Sequence, residues 1–427
     1  MVRYARAASF LYAIAMVAGE GDGDGGGPWS YLETTIPVPL SDMTVDRLGD
    51  RIIIAGGCDS PMGNELLEFD WGEGFACMSI SSKAYSFVPA RSSRDQPWSG
   101  EFVALPDMPR PRYRHASVAF SDYLCVIGGR DALDALIAEV DCYRPSTNEW
   151  TTPASLPDGR LASDLAAFAH PDVEGVGYMV GGFDESYLAR DSVTVVTWSE
   201  GGTDVAYADG PSLNGKRGDI DVAVVDGYAY VSGGYTHEND YAMPKNSVER
   251  LRLTLTNATT GGGTGEGWKA IDSLNQERGD KQLAGMNGRV YAIGGETQVD
   301  VAGVPESELP GLGARSEVLD TVEVYDPRED VHAGMAEWRS LATMPGQIFR
   351  FGATDWRVEG EEEGYIFVFG GQVAYDEDCK CFRTSDRVLA FDVRRAEEAG
   401  ASSASTIVDA ARALSVAAVG ALFWLAL

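Results

Sequence analysis

"RVYAIGGETQVD", Arg289 to Asp300, ends a run of strand-forming side chains on two adjacent glycines. Glycine loses more backbone entropy on folding than any other residue and packs nothing. A pair at the end of a strand therefore implies positive φ or a neighbour too close for a Cβ. The pair recurs in "RIIIAGGCD" (Gly56, Gly57), "YLCVIGGRD" (Gly128, Gly129), "GYMVGGFDE" (Gly181, Gly182), "YAYVSGGYT" (Gly233, Gly234), "VYAIGGETQ" (Gly294, Gly295) and "YIFVFGGQV" (Gly370, Gly371). Five steps carry Gly56 to Gly370, about 63 residues each, a repeat length that marks propellers and solenoids.

Each pair closes one alternating stretch and is followed, after a variable loop, by another: "EVDCYRP", "TVVTW", "SVERLRL", "TVEVYDP", "RVLAFDV". Beyond these come an aromatic residue and a turn, as in "WTTPASLPDGR" and "WKAIDSLNQER". Short strands between turn signals, with no helical periodicity before the C-terminal tail, predict an all-β array of four-stranded units. Trp98, Trp150, Tyr207, Trp268 and Trp338 open the outer strands after the first five pairs, and the sixth has none. Trp29, in "WSYLETTIPVPLSDM", supplies it from the other end. The expectation is a six-bladed propeller closed by the N-terminal strand, which hides edges that an open sheet would expose.

The double glycine, the Tyr a dozen or more residues on, and the Trp followed by Leu and an "MP" or "LP" turn resemble kelch repeats over residues 29 to 394. Tyr207 stands where that pattern has Trp, and the first unit has no clean Tyr–Asp pair near Trp98. The resemblance implies a kelch-type propeller acting as a recognition module through its loop rim and channel mouth. The family also includes secreted propellers resembling sialate mutarotases. That implies an alternative, a sugar-active enzyme with Glu296, Glu238 and His115 as acid/base candidates. A copper radical oxidase is disfavoured, because the chain has four His in all (His115, His170, His237, His332) and no added C-terminal β domain.

The 427 residues carry 34 basic and 65 acidic side chains, a net charge of −31, which disfavours binding to nucleic acid or to an anionic membrane surface. Residues 1–18 place Arg3 and Arg6 ahead of an apolar run, the build of a secretory signal. Residues 19–28 read as a flexible Gly/Asp leader. Residues 395–427 set small residues, Gly400 to Ser403, before a spacer and an apolar tail. This is the layout of a glycosylphosphatidylinositol signal with attachment at Ser402, a single transmembrane helix being the rival reading. The expectation is a lipid-anchored monomer at the cell surface that binds a protein or acidic glycan.

Cys125 and Cys142 fall on strands expected to be adjacent and antiparallel, and so form a candidate disulfide. Cys58, Cys77, Cys379 and Cys381 lie in loops of the first and last units and leave three pairings open. Asn257, in Asn-Ala-Thr, is a glycosylation acceptor. No metal or cofactor is expected, since Cys379-Lys380-Cys381 lacks zinc spacing and the acidic run at Asp376 to Asp378 lacks the spaced ligands of a calcium loop. Arg112, Arg217 and Arg278 each fall 16 residues before the first glycine of their pair, and Arg160 matches once an insertion near Pro171 is allowed. With Arg114, His115 and Arg350 they are expected to surround the channel mouth and grip anions, with Tyr235, His237, Phe183 and Gln372 on the same rim. The competing reading pairs the arginines with Asp219 and Asp280 as ties between blades.

Overall fold

The computed structural model describes residues 27–60, 77, 79–93, 96–199, 205–238, 241–254, 267–300, 314–329, 336–358, 364–376 and 381–399. Within them lie six four-stranded antiparallel sheets. The second is typical: Ala116–Ala119 is followed by Leu124–Ile127, Glu139–Arg144 and Glu149–Ser155, in that spatial order. The first strands of the other sheets are Thr44–Leu48, Ala166–Ala169, Asp221–Val225, Gln282–Met286 and Gly352–Arg357. Each of these six strands packs on the next in order, and Gly352–Arg357 packs on Thr44–Leu48. The architecture is all-β and propeller-like, with the first strands innermost.

The sixth sheet takes its outer strand from the start of the chain. Trp29–Tyr31 pairs antiparallel with Val388–Asp392, Trp29 opposite Phe391. Trp29 also behaves like the outer-strand tryptophans elsewhere. Trp150, Trp268 and Trp338 donate their indole N–H to the carbonyls of Pro106, Pro211 and Asp272, each in the turn of the preceding repeat. Trp29 reaches Ala342 in the same way. An indole packed at a sheet margin needs both an apolar body contact and an acceptor, so in these four repeats one residue type fixes the repeat onto the one before it. Between the first and sixth sheets, Trp98 packs edge-on against Tyr365 and Phe367, and Phe87 against Phe369.

Gly181 shows why the glycines are there. Its φ is +59°, and a Cβ would lie 2.6 Å from the carbonyl oxygen of Arg217 in the next sheet. The second glycine of the pair, Gly182, donates its N–H to that same oxygen at 2.9 Å. The bond recurs from Gly57 to Arg112, Gly129 to Ala162, Gly234 to Arg278, Gly295 to Ile348 and Gly371 to Leu40, so every sheet is tied to its successor and the sixth to the turn before the first.

Cys125 and Cys142 stand opposite one another on adjacent strands and are disulfide-bonded. Cys58 is bonded to Cys77, one of the pairings that the sequence left open. Residues 393–399 form a short helical segment, where a linker was expected to begin at 395. It docks because Glu397 accepts both Arg289 Nη1, at 2.7 and 2.8 Å, and the Tyr291 hydroxyl at 2.7 Å. Residues 1–26, Asn257, Ser402, Cys379 and the side chain of Cys381 lie outside the described residues.

Candidate functional site

Innermost strands begin at the end of the molecule where the glycine-terminated strands finish, because the two are antiparallel. Here a cavity of about 310 Å³ opens between the inner strands of all six sheets. Three hairpins rise from the same end: Tyr235–Glu238 with Tyr241–Pro244, Glu296–Asp300 with Ala314–Val318, and Gln372–Asp376 with Cys381–Thr384. Neighbouring hairpins touch one another along the rim.

One residue in each sheet, two positions before its inner strand, holds positive φ between 50° and 55°: Asp42, Arg114, Asp164, Asp219, Asp280 and Arg350. Left-handed backbone in non-glycine residues is uncommon, and six equivalent cases define a built feature. Their peptides form a cycle. Arg114 N–H donates to Asp42 O at 3.0 Å, Asp164 to Arg114 at 2.8 Å, Asp219 to Asp164 at 3.0 Å, Asp280 to Asp219 at 3.2 Å, Arg350 to Asp280 at 3.0 Å, and Asp42 to Arg350 at 2.8 Å. All six side chains line the cavity.

The ring carries four carboxylates and two guanidiniums. Arg114 lies 3.6 Å from both Asp42 and Asp164, and Arg350 lies 2.9 Å from Asp280 and 3.8 Å from Asp42. Asp42 is thus flanked by both cations, whereas Asp164, Asp219 and Asp280 are consecutive. Burial, with Asp280 and Asp164 beside it, pushes the Asp219 carboxyl well above the ordinary carboxylate range. Burial also raises Asp164, against the pull of Arg114. For Asp280 burial acts in the same direction, but the charge and hydrogen bond of Arg350 outweigh it and hold this carboxyl below its usual value. Deeper in the cavity, burial lifts Asp46 to about 7 and Asp221 to about 6.

Of the residues expected at the mouth, Arg114 and Arg350 are there. Arg112, Arg217 and Arg278 are not: all three are almost fully buried in the sheets. Their common spacing of 16 is itself a contact, because each guanidinium donates to the carbonyl of the first glycine of its own pair, Gly128, Gly233 or Gly294. Their carboxylate partners are Asp141, Glu249 and Glu323 on the third strand of the same sheet, the last two at 2.7 Å, rather than Asp219 and Asp280. Asp219 holds a left-handed φ of 52°, which turns the chain between the two residues, so Arg217 points into its sheet while Asp219 lines the cavity. The other Glu249 oxygen accepts both the N–H and the side-chain amide of Asn214, and Asn275 does the same for Glu323, so both oxygens of each buried carboxylate are met.

Arg160 departs from the pattern and pairs with the exposed Asp209 at 2.7 Å and with the Thr194 hydroxyl. His115 is buried, its Nε2 3.3 Å from Thr44 Oγ1, and burial with Arg112 nearby holds it neutral, far below the usual histidine range. Tyr235 and Phe183 are also buried, each lying over a bare glycine of the next sheet, Gly279 and Gly218. Gln372 is buried and donates to Ser41 Oγ. Glu296 is buried at the base of its hairpin, and the side chains of His237 and Glu238 lie outside the described residues.

Lys281 is a further exception. In the position just before the inner strand, Met43, Leu165, Ile220 and Phe351 lie against the first glycine of the preceding sheet. Lys281 fills that socket at Gly233, its Nζ buried without a hydrogen-bond partner, and burial pushes its pKa down to about 7.

The ring has a legible signature in the sequence. "SDM", "SDL", "GDI" and "GDK" each place Asp42, Asp164, Asp219 or Asp280 after a small residue, and "YRH" and "FRF" supply Arg114 and Arg350. Asp42, Arg114, Asp219 and Asp280 each fall 14 residues before the first glycine of their pair, whereas Asp164 and Arg350 fall 17 and 20 before theirs, so constant spacing reveals four of the six.

Sheets arranged in this way, each tied to the next by the same glycine bond, define a propeller-like repeat protein. A family model described as the kelch motif matches residues 111–157. Alpha-scruin of Limulus polyphemus is 26% identical over 277 residues, which cover 64% of this chain and 27% of scruin. Kelch repeat and BTB domain-containing protein 3 of Mus musculus is 22% identical over 340 residues, 76% of this chain and 45% of that protein. The chain is a kelch-repeat protein. It spans less than half the length of these curated relatives. A solved structure titled "Structure of YjhT" superposes with a TM-score of 0.58 at 14% identity, covering 83% of this chain and 95% of that one, a likeness of fold.

Proposed function

We propose that this chain is a protein-recognition module, a closed six-bladed kelch propeller that binds its partner across the hairpin-bearing face around the cavity mouth. Closure is supported by the pairing of Trp29 with Phe391 and by the two cycles of backbone hydrogen bonds, one through the glycine pairs and one through the ring. Kelch repeats at large mediate protein binding.

The observation that carries the choice of face is a pair of exposed leucines. Leu133 is 87% exposed and Leu188 is 54% exposed, in the loops that follow Gly129 and Gly182 on adjacent sheets. Their loops are rigid: Tyr113 and Tyr187 both donate to Asp134, and Arg130 stacks 3.7 Å over Tyr187. Apolar side chains held out on a fixed polar frame form a protein-binding surface in miniature. The carboxylates at the mouth favour a partner that presents basic residues there over an acidic glycan. Replacing Leu133 and Leu188 with Asp is expected to abolish capture of the partner from extracellular fluid, read by quantitative mass spectrometry, whereas Val103→Asp, on the outer strand of the first sheet, is expected to leave it intact. The reverse pattern would place recognition elsewhere.

The reading as an extracellular, lipid-anchored protein rests on the two termini of the sequence and agrees with the pairing of the four cysteines whose side chains are described, since disulfides persist in oxidising compartments. Phosphatidylinositol-specific phospholipase is expected to release the protein from the cell surface.

A further inference from the structure

We propose that Asp164, Asp219 and Asp280 form a binding site for a hard divalent cation of the calcium or magnesium class at the mouth of the central cavity. Each carboxylate offers an oxygen, and these oxygens lie within 4.8 Å of one another. Calcium takes oxygen ligands at roughly 2.3–2.6 Å, so one ion can span separations of this size. The donors are all carboxylate, with neither His nor Cys among them, which selects calcium, magnesium or manganese over zinc or copper.

A second observation points to the ligand. Asp164, with a side chain only 5% exposed, leaves its Oδ2 buried without any hydrogen-bond partner, while Oδ1 faces Arg114 at 3.6 Å. A buried carboxylate oxygen that has given up water for nothing is costly, and a cation beside Asp219 and Asp280 is the partner that would satisfy it. Charge balance agrees. With all four carboxyls ionised, as a bound cation would hold them, four aspartates and two arginines give the ring two negative charges, and these fall on the arc away from Asp42, which already has a guanidinium on either side. The 310 Å³ cavity leaves room for the waters that such an ion keeps. The cycle of backbone bonds holds the three aspartates at fixed spacing before any ion arrives.

The test uses the whole protein, stripped with EDTA and titrated with calcium chloride and separately with magnesium chloride, by calorimetry and by thermal melting. We expect saturable binding of one ion per chain to at least one of the two, with a rise in melting temperature. Asp219→Asn should weaken it by at least about tenfold, as should Asp164→Asn, while Asp42→Asn across the ring keeps it. The proposal fails if neither ion gives saturable binding or a melting shift at millimolar concentration. It fails equally if binding survives in both Asp219→Asn and Asp164→Asn, which would put the ion at another site. It fails too if Asp219→Asn melts above the unsubstituted protein in EDTA and calcium alike, which would show a proton shared among the carboxylates in place of an ion.

Discussion

Arg217 and Asp219 sit two residues apart in one turn and do opposite things. Arg217 turns into its own sheet, where every hydrogen bond it makes is repeated by Arg278 one sheet on: to the glycine carbonyl, to the Ser247 or Thr321 backbone and hydroxyl, and to a glutamate. Asp219 turns into the cavity, where its equivalents are two arginines and three aspartates. The arginine keeps its partners in the three sheets that have it, while Leu40, Ala162 and Ile348 hold the equivalent position in the other three, so where it occurs it meets a demand for a cation inside the sheet. A position that keeps its backbone but changes its charge is free of that demand, and its side chains compose a surface.

The contrast is most sharply broken at the anchor. Changing Arg217 and Arg278 together to Met leaves Glu249 and Glu323 buried without their cations, so each substitution is expected to cost about 3 kcal/mol. Chemical denaturation should show the loss while the hairpin face of the surviving folded fraction still captures its partner. A melting point unchanged in the double variant would refute the structural role.

Smaller effects, of opposite sign, are expected inside the cavity. The Asp46 carboxyl titrates near 7 in the folded protein because burial outweighs its hydrogen bond from Ser117, with Asp221 and Asp355 adding repulsion. Since the folded value lies above the unfolded one, the stability it contributes is whole below about pH 4 and is lost as pH rises through 7. Asp46→Asn should therefore stabilise the protein at pH 8 by on the order of 2–4 kcal/mol and have little effect at pH 4, as read by urea denaturation at the two pH values. Lys281→Met should add roughly 1–3 kcal/mol at neutral pH, because it restores to the socket at Gly233 the apolar side chain found in four of the other sheets. The smallest change is expected for Arg160→Ala, under about 1 kcal/mol, since its partner Asp209 is 87% exposed and the pair is screened by water.

The repeat was legible because its signals are local. Two glycines, a tryptophan and a cysteine pair each announce a backbone position by residue type alone, and Trp29 could be assigned to the last sheet simply because one aromatic was missing there. The arginine spacing was also visible, but its meaning was not. Glu249 and Glu323 lie across the sheet from their arginines, and chain proximity instead offered Asp219 and Asp280 as partners. The ring was harder still. What unites Asp42, Arg114, Asp164, Asp219, Asp280 and Arg350 is a left-handed φ and a cycle of peptide bonds, and neither demands a particular side chain.

The pairing of Trp29 with Phe391 also sets an order of events in time. On the ribosome, Trp29–Tyr31 is made long before its partner Val388–Asp392, so the segment must wait unpaired while the five intervening sheets assemble beside it. Contacts this distant along the chain form slowly, and until they do the sixth sheet has an open edge. The Pro28 carbonyl, which accepts from Asp392 N–H at 2.7 Å, then joins the two ends of the domain at one place on its margin. Pulling on the termini would load this single seam in peeling geometry, and it should be the first part of the molecule to give way.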